Sequence, residues 1–94
     1  GDITVFIPNA FTPNNVGVEK NNRFYVVVDG HETFEITIFN RWGEDLYHSS
    51  NPEEGWDGKY QGVEVPDGVY VYLVRVTSLA KKEYAYYGTV TLLR

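Results

Sequence analysis

The chain has 94 residues, of which 43% are hydrophobic and 16% aromatic, and its net charge is −5. This length allows one compact core and excludes a two-domain enzyme, because independent domains typically span about 50 to 200 residues. Without a basic stripe, nucleic acid and lipid head groups are poor partners. The lack of cysteine and methionine excludes thiol chemistry and indicates a single domain, residues 1–94, cut from a longer protein.

Seven short runs rich in β-branched or aromatic residues predict strands. In chain order they cover residues 4–7, 24–28, 34–40, 44–48, 62–65, 69–78 and 83–93. Residues 69–78 are apolar on both faces, as in a central strand. Glycine follows Asp29, Trp42, Asp57 and Asp67, where tight turns require a positive φ. The sequence therefore predicts an all-β, Ig-like antiparallel β-sandwich of about seven strands.

No arrangement of side chains in the sequence favours catalysis. His31 and His48 lie in separate segments and are expected to be solvated, and the chain has no G-x-S-x-G nucleophile motif. The carboxylates around Glu53 and Asp57 stand beside Trp56, as in a sugar cleft, but a solvated acidic turn explains them better. We predict no catalytic residue and no enzyme activity.

Residues 14–22 contain several oxygen-bearing side chains around a glycine, a pattern that calcium-binding turns share. Glu19 is the segment's one carboxylate, and Lys20 adds a repelling charge. A divalent cation usually requires two or more carboxylates, so an Asn-rich turn is the favoured interpretation. The sequence predicts no metal site and no cofactor.

Several turns are predicted to have structural roles. We expect Trp42 to cover one end of the core and Arg41 to pair with Glu44 or a nearby carboxylate. Each Asp in the Asp-Gly turns is expected to cap its own backbone. The predicted structural turn residues are Arg41, Trp42, Gly43, Trp56, Asp57, Gly58, Pro66, Asp67 and Gly68. Under a different interpretation, Trp42, Trp56 and Tyr60 form a platform that stacks against sugars.

Five segments occur in a characteristic order: IPNAFTPNN at 7–15, FNRWGE at 39–44, GWDG at 55–58, VPDGVYVY at 65–72 and GTVTLLR at 88–94. Together they resemble the gliding-motility-associated C-terminal domain, a type B sorting domain of the type IX secretion system. The match runs from about Ile7 to Arg94. The family's first loop has an Asp where this chain has Val16, which argues against ion binding there.

The resemblance implies a non-catalytic sorting domain that the type IX machinery recognises during outer-membrane translocation and cell-surface attachment of its cargo. It implies export through the periplasm to the cell surface or medium, and partners of the PorP/SprF type. The expected recognition surface joins the first segment to the last strand and comprises Asn9, Phe11, Thr12, Pro13, Asn14, Thr89, Thr91, Leu93 and Arg94. The alternative is an Ig-like carbohydrate-binding, adhesion or spacer module of a surface protein.

Overall fold

A computed structural model of the chain describes residues 3–13 and 22–94 and confirms the all-β prediction. Within these ranges nine strands form, more than the seven predicted. They are β1 (Thr4–Phe6), β2 (Ala10–Phe11), β3 (Val27–Asp29), β4 (His31–Phe39), β5 (Asp45–Ser49), β6 (Lys59–Tyr60), β7 (Val63–Glu64), β8 (Gly68–Ser78) and β9 (Glu83–Leu92). The predicted Asn-rich turn and Asn14 fall in residues 14–21, outside the described ranges.

The main sheet has five strands in the order β2-β9-β8-β4-β5. Its long strands pair antiparallel, with Phe39 opposite Val71 and Tyr70 opposite Val90. The two-residue strand β2 pairs parallel with the end of β9, which places Phe11 opposite Leu92. The apolar strand β8 is therefore central, as its sequence predicts.

The second layer is smaller and consists of the β1–β3 ribbon and the β6–β7 hairpin. Between them Phe24 and Trp56 form an isolated antiparallel bridge, in which their backbone amides exchange hydrogen bonds of 2.8 and 3.1 Å. The predicted strand 24–28 thus begins as a single bridge and joins the ribbon only from Val27. The layer is held to the main sheet mainly by the side chains between them.

The core is built from alternate residues of the main sheet and from aromatic rings of the second layer. Trp56 is 1% exposed, and its ring lies 5.6 Å from that of Phe11 and 5.4 Å from that of Tyr70. The other buried apolar side chains come mainly from the long strands: Phe24, Val26, Phe34, Ile36, Ile38, Val74, Val76, Val90 and Leu92. Full burial of one large apolar side chain stabilises a fold by about 1.5–3 kcal/mol, so this cluster dominates folding.

Candidate functional site

Four turns and the chain's last residues meet at one end of the sandwich. Strand β4 ends beside the start of β8, and β8 starts beside the end of β9, so their flanking residues share this end. We call it the turn end and define it by residues 12–13, 40–44, 57–58, 65–68 and 93–94. It brings together parts of all five sequence segments on which the family resemblance depends.

Arg94 connects three of these segments. Its backbone N–H donates to an Asp67 carboxylate oxygen at 3.1 Å, and its Nη2 donates to the Gly58 carbonyl at 2.9 Å. Its Nη1 donates to the Val65 carbonyl, while Nε lies 3.7 Å from a carboxylate oxygen of Glu64. The side chain is 19% exposed, so these interactions are partly shielded from water. A guanidinium suits this task because its five N–H groups point in several directions within one plane.

The turn at Gly58 fits tightly beneath Arg94. Gly58 has φ of +78°, and a Cβ added there would lie 3.1 Å from each of three atoms, in the side chains of Arg94, Leu92 and Pro13. The neighbouring Asp57 caps its own turn by accepting a 3.0 Å hydrogen bond from the Lys59 N–H, as predicted. Both the backbone conformation and the close approach therefore require glycine at position 58.

Asp67 does not have the predicted role of capping its own backbone. Its carboxylate instead accepts from the Arg94 N–H, and it lies 3.6 Å from the Arg94 guanidinium. The physical reason is that the charged donor group of Arg94 lies beside this turn and offers a stronger, charge-assisted interaction. Asp67 thus joins the last residue of the chain to the start of β8.

Asn40 organises the β4–β5 turn, a role that the sequence analysis missed. Its side-chain oxygen accepts hydrogen bonds of 2.9 Å from the backbone N–H groups of both Trp42 and Glu44. Its side-chain amide donates to the Glu44 carboxylate at 2.8 Å. Gly43 adopts φ of +87° between them. An Asn side chain readily accepts a hydrogen bond from the backbone N–H two residues further along the chain. This preference is the feature of the sequence from which the role of Asn40 could have been predicted.

This turn holds Trp42 out of the core, so the prediction that Trp42 covers one end of the core is wrong. The side chain is 82% exposed, because the bonds to Asn40 fix the backbone with Trp42 at the tip of the turn. The contact of Arg41 also differs from the predicted pairing with Glu44. Its guanidinium carbon lies 5.7 Å from the centre of the Trp42 ring, whereas the Glu44 carboxylate accepts a hydrogen bond from the Asn40 amide.

A groove of about 420 Å³ lies between the β4–β5 turn, the β6–β7 hairpin and the start of β8. We call it the Trp42 groove. It is lined by residues 40–42, Glu44, Leu46, Tyr60 and residues 65–70. Its volume lies within the range of about 300–1,000 Å³ typical of small-ligand sites. Its charged lining residues are Arg41, Glu44 and Asp67, and the Asp67 carboxylate is the one paired with Arg94.

The three aromatic residues of the sugar-platform interpretation do not share a surface. Trp56 is 1% exposed and donates its indole N–H to the Lys59 carbonyl at 3.0 Å, so it belongs to the core. Trp42 and Tyr60 both line the Trp42 groove. A platform that includes Trp56 is therefore excluded by its burial.

The structure brings together the two halves of the predicted recognition surface. The Thr91 N–H donates to the Asn9 carbonyl at 2.9 Å, and the Leu93 N–H donates to the Phe11 carbonyl at 3.1 Å. The side chains of this surface have different environments. Asn9, Thr89 and Leu93 are exposed, Thr12 and Thr91 are half-buried, and Phe11 and Pro13 are buried, which leaves those last two a packing role.

The remaining candidates are scattered over the molecule. His48 is exposed and lies 3.0 Å from the Thr37 hydroxyl, as expected of a solvated side chain. His31 is only half-exposed, and its Nδ1 is buried with no hydrogen-bond partner among the described residues, because its ring packs against Phe34. Glu54 accepts a hydrogen bond from the Tyr47 hydroxyl, which lowers the pKa of Glu54.

Residues 3–13 and 22–94 also bear on two other kinds of site. In that part of the chain, no three His, Asp or Glu side chains are grouped so that they can hold a metal ion. The same part of the chain includes no helix with the length and hydropathy needed to cross a membrane.

Comparison with known proteins identifies the family of the chain and a solved structure with a similar fold. The family described as CHU_C Type IX secretion signal domain matches residues 5–92. No curated protein matches the chain. The crystal structure of CopC from Methylosinus trichosporium OB3b is similar, with a TM-score of 0.59 and 13% sequence identity, over 95% of this chain and 88% of that chain. At this identity the likeness supports the sandwich fold alone.

Proposed function

Because the chain belongs to the CHU_C family of type IX secretion signal domains, we propose that its folded sandwich is the signal by which the secretion machinery selects its cargo. The family is a sorting family rather than a catalytic one, and membership implies interaction with the type IX machinery and export to the cell surface or extracellular space. The proposal adds that the domain stands at the C-terminus of a longer protein, crosses the periplasm with it and supports its attachment at the cell surface.

The observation that carries this proposal is the extent of the family match, residues 5–92, which covers all of the described strands except the first residue of β1. The turn end depends on contacts between residues far apart in sequence, such as the bond from Arg94 to the Gly58 carbonyl, 36 positions away. A surface of this kind forms only in the folded domain. Recognition of the fold, rather than of a short linear peptide, is consistent with that dependence.

We assign the first contact surface to the edge where β2 meets β9. Its exposed residues are Asn9, Thr89 and Leu93, with Thr12 and Thr91 half-buried beside them. Strand β2 is only two residues long, so it covers little of the edge of β9. An edge of this type accepts contacts from a partner's backbone and side chains. The partner in this proposal is an outer-membrane component of the PorP/SprF type.

The test is a secretion assay. Residues 1–94 are fused to the C-terminus of a fluorescent reporter that carries a Sec signal peptide, and reporter fluorescence is measured at the surface and in the medium. We expect export in a strain with the type IX system and retention in a matched strain that lacks it. Equal export from both strains would contradict the proposal and favour the adhesion or spacer alternative.

A further inference from the structure

Trp42 is presented to solvent by a rigid turn. Asn40 fixes that turn through hydrogen bonds to two backbone N–H groups, and yet the ring at its tip is 82% exposed. A large aromatic side chain in water forgoes the stabilisation that burial would give it. Trp, Tyr and Arg are also the residues most enriched among binding hot spots, and Trp42, Tyr60 and Arg41 all line this groove. The residue types at this groove are therefore those typical of an interaction surface.

Glu44 and the net charge of the domain favour a cationic occupant of the Trp42 groove. The Glu44 carboxylate accepts a hydrogen bond from the neutral Asn40 amide and keeps its charge, whereas the Asp67 carboxylate already lies 3.6 Å from the Arg94 guanidinium. Arg41, the cation of the lining, lies over the Trp42 ring, and the domain as a whole has a net charge of −5. A positively charged partner is therefore attracted both by Glu44 and by the domain. A second copy of this chain would be repelled by the same charge.

The polar groups of the groove are poorly suited to a sugar. Recognition of sugar hydroxyls requires several directional hydrogen-bonding groups together, but the Asn40 amide is used within its turn, the Tyr70 hydroxyl donates to the Pro66 carbonyl and the Asp67 carboxylate is paired with Arg94. What the groove offers instead is aromatic surface and the charge of the Glu44 carboxylate. The contact between Arg41 and Trp42, at 5.7 Å, shows that this ring accepts a guanidinium on its face.

We propose that the Trp42 groove is a docking site for an arginine-bearing segment of a protein of the type IX machinery, with Trp42 as its aromatic anchor and Glu44 as a charge partner. This inference rests on the proposed function and adds a second contact surface at the turn end. A guanidinium of the partner stacks on the exposed Trp42 ring while the carboxylate of Glu44 offsets its charge.

The first experiment uses the reporter fusion with Trp42→Ala and, as a matched control, Leu79→Ala. Leu79 is also a large exposed apolar side chain, at 68%, but it lies at the opposite end of the sandwich. We expect Trp42→Ala to reduce type IX-dependent export at least about tenfold, and Leu79→Ala to leave it unchanged. Both purified domains are expected to melt within a few degrees of the wild type, which separates docking from folding.

The results distinguish two kinds of failure. Export of the wild-type fusion from a strain without the machinery contradicts the proposed function. Machinery-dependent export of the wild type together with normal export of Trp42→Ala overturns the docking site and leaves the function standing.

The second experiment tests the chemistry of the occupant. The probe is the peptide acetyl-Gly-Arg-Gly-Arg-Gly-amide, with a neutral citrulline version as control. Because Trp56 is 1% exposed, acrylamide quenching of tryptophan fluorescence reports almost entirely on Trp42. We expect the arginine peptide to protect Trp42 from quenching, and Glu44→Gln, which keeps an acceptor for Asn40, to weaken that protection several-fold. Equal protection by the citrulline peptide, or none by either, would overturn the assignment to arginine.

Discussion

The two ends of the sandwich are closed by different kinds of contact. The opposite end, which we call the hairpin end, consists of residues 29–30 and 79–82. One of its hydrogen bonds is local, at 3.1 Å from the Lys82 N–H to the Ser78 hydroxyl, and another joins two turns, at 3.1 Å from the Leu79 N–H to the Gly30 carbonyl. Its ion pair joins Lys81 to Glu32, 49 positions away, with the lysine side chain 71% exposed. The turn end instead depends on Arg94, whose side chain is 19% exposed and whose partners lie in two other turns, at Gly58 and at Val65 and Asp67.

This difference concerns how much of the fold each end requires. The hairpin end joins the β3–β4 turn to the β8–β9 turn, so it forms once β4 has paired with β8 and β8 with β9. The turn end keeps its shape only when β2, β9 and the second layer are all in place, because Arg94 and Gly58 contact all of them. A receptor that binds the turn end therefore selects cargo whose signal domain has folded.

The largest effect is expected at Trp56, which underlies the turn end. Trp56→Ala removes a ring packed against Phe11 and Tyr70, and we expect a loss of about 3–5 kcal/mol in the free energy of unfolding. The matched control is Trp42→Ala, which removes the same side chain from an exposed site and is expected to change stability by no more than about 0.5 kcal/mol. Urea unfolding measures both, and similar losses in the two variants would contradict the described burial.

Arg94→Ala directly tests the contacts by which Arg94 holds the turn end together. The change removes charge-assisted hydrogen bonds to the Gly58 and Val65 carbonyls, of which Gly58 keeps its 3.0 Å bond from the Val65 N–H, and we expect stability to fall by about 2–3 kcal/mol. Lys81→Ala is the control from the hairpin end and is expected to cost less than about 1 kcal/mol, since its ion pair is exposed. Equal losses of stability in the two variants would contradict the difference between the turn end and the hairpin end.

Gly68→Val examines the backbone at the turn end. Gly68 begins β8 with φ of +151°, and a Cβ there meets no atom within 4 Å, so the cost is conformational rather than steric crowding. We expect a loss of about 1–3 kcal/mol, because a β-branched residue disfavours this dihedral. Gly68→Ala has the same strain without the branch and should lose less. Unchanged thermal melting of Gly68→Val would reject the turn geometry.

The sequence predicted most of the main sheet, because long strands carry a clear alternation of apolar and polar residues. Strand β4 extends to His31, beyond the predicted start at residue 34, since pairing with β8 continues to Ser78. Strands β2 and β6 were missed because two residues are too few for any periodicity. The positive φ of Gly30, Gly43 and Gly58 followed from the turn chemistry of their neighbours.

The candidate site was less predictable because it depends on contacts that are distant in sequence. The prediction for Trp42 treated a large aromatic ring as core, and the outcome was set by the Asn40 side chain holding the turn. The prediction for Asp67 considered only local capping, and a residue 27 positions away supplied its partner. The motifs located the turn end, whereas the roles of individual side chains within it required the structure.

The smallest expected effect concerns Tyr70, whose hydroxyl donates to the Pro66 carbonyl at the turn end. Burial raises the pKa of Tyr70 above its ordinary value of 10.0, and burial likewise raises that of Tyr47. Since the folded state holds these protons more tightly than the unfolded state, their contribution is complete below pH 10 and is lost as the pH rises above it. Tyr70→Phe should therefore lower stability at pH 7 by about 0.5–1.5 kcal/mol and make its decline above pH 10 shallower. Urea unfolding at each pH measures both quantities. An equally steep decline in the variant would show that Tyr47 and other groups, rather than Tyr70, cause the loss of stability at alkaline pH.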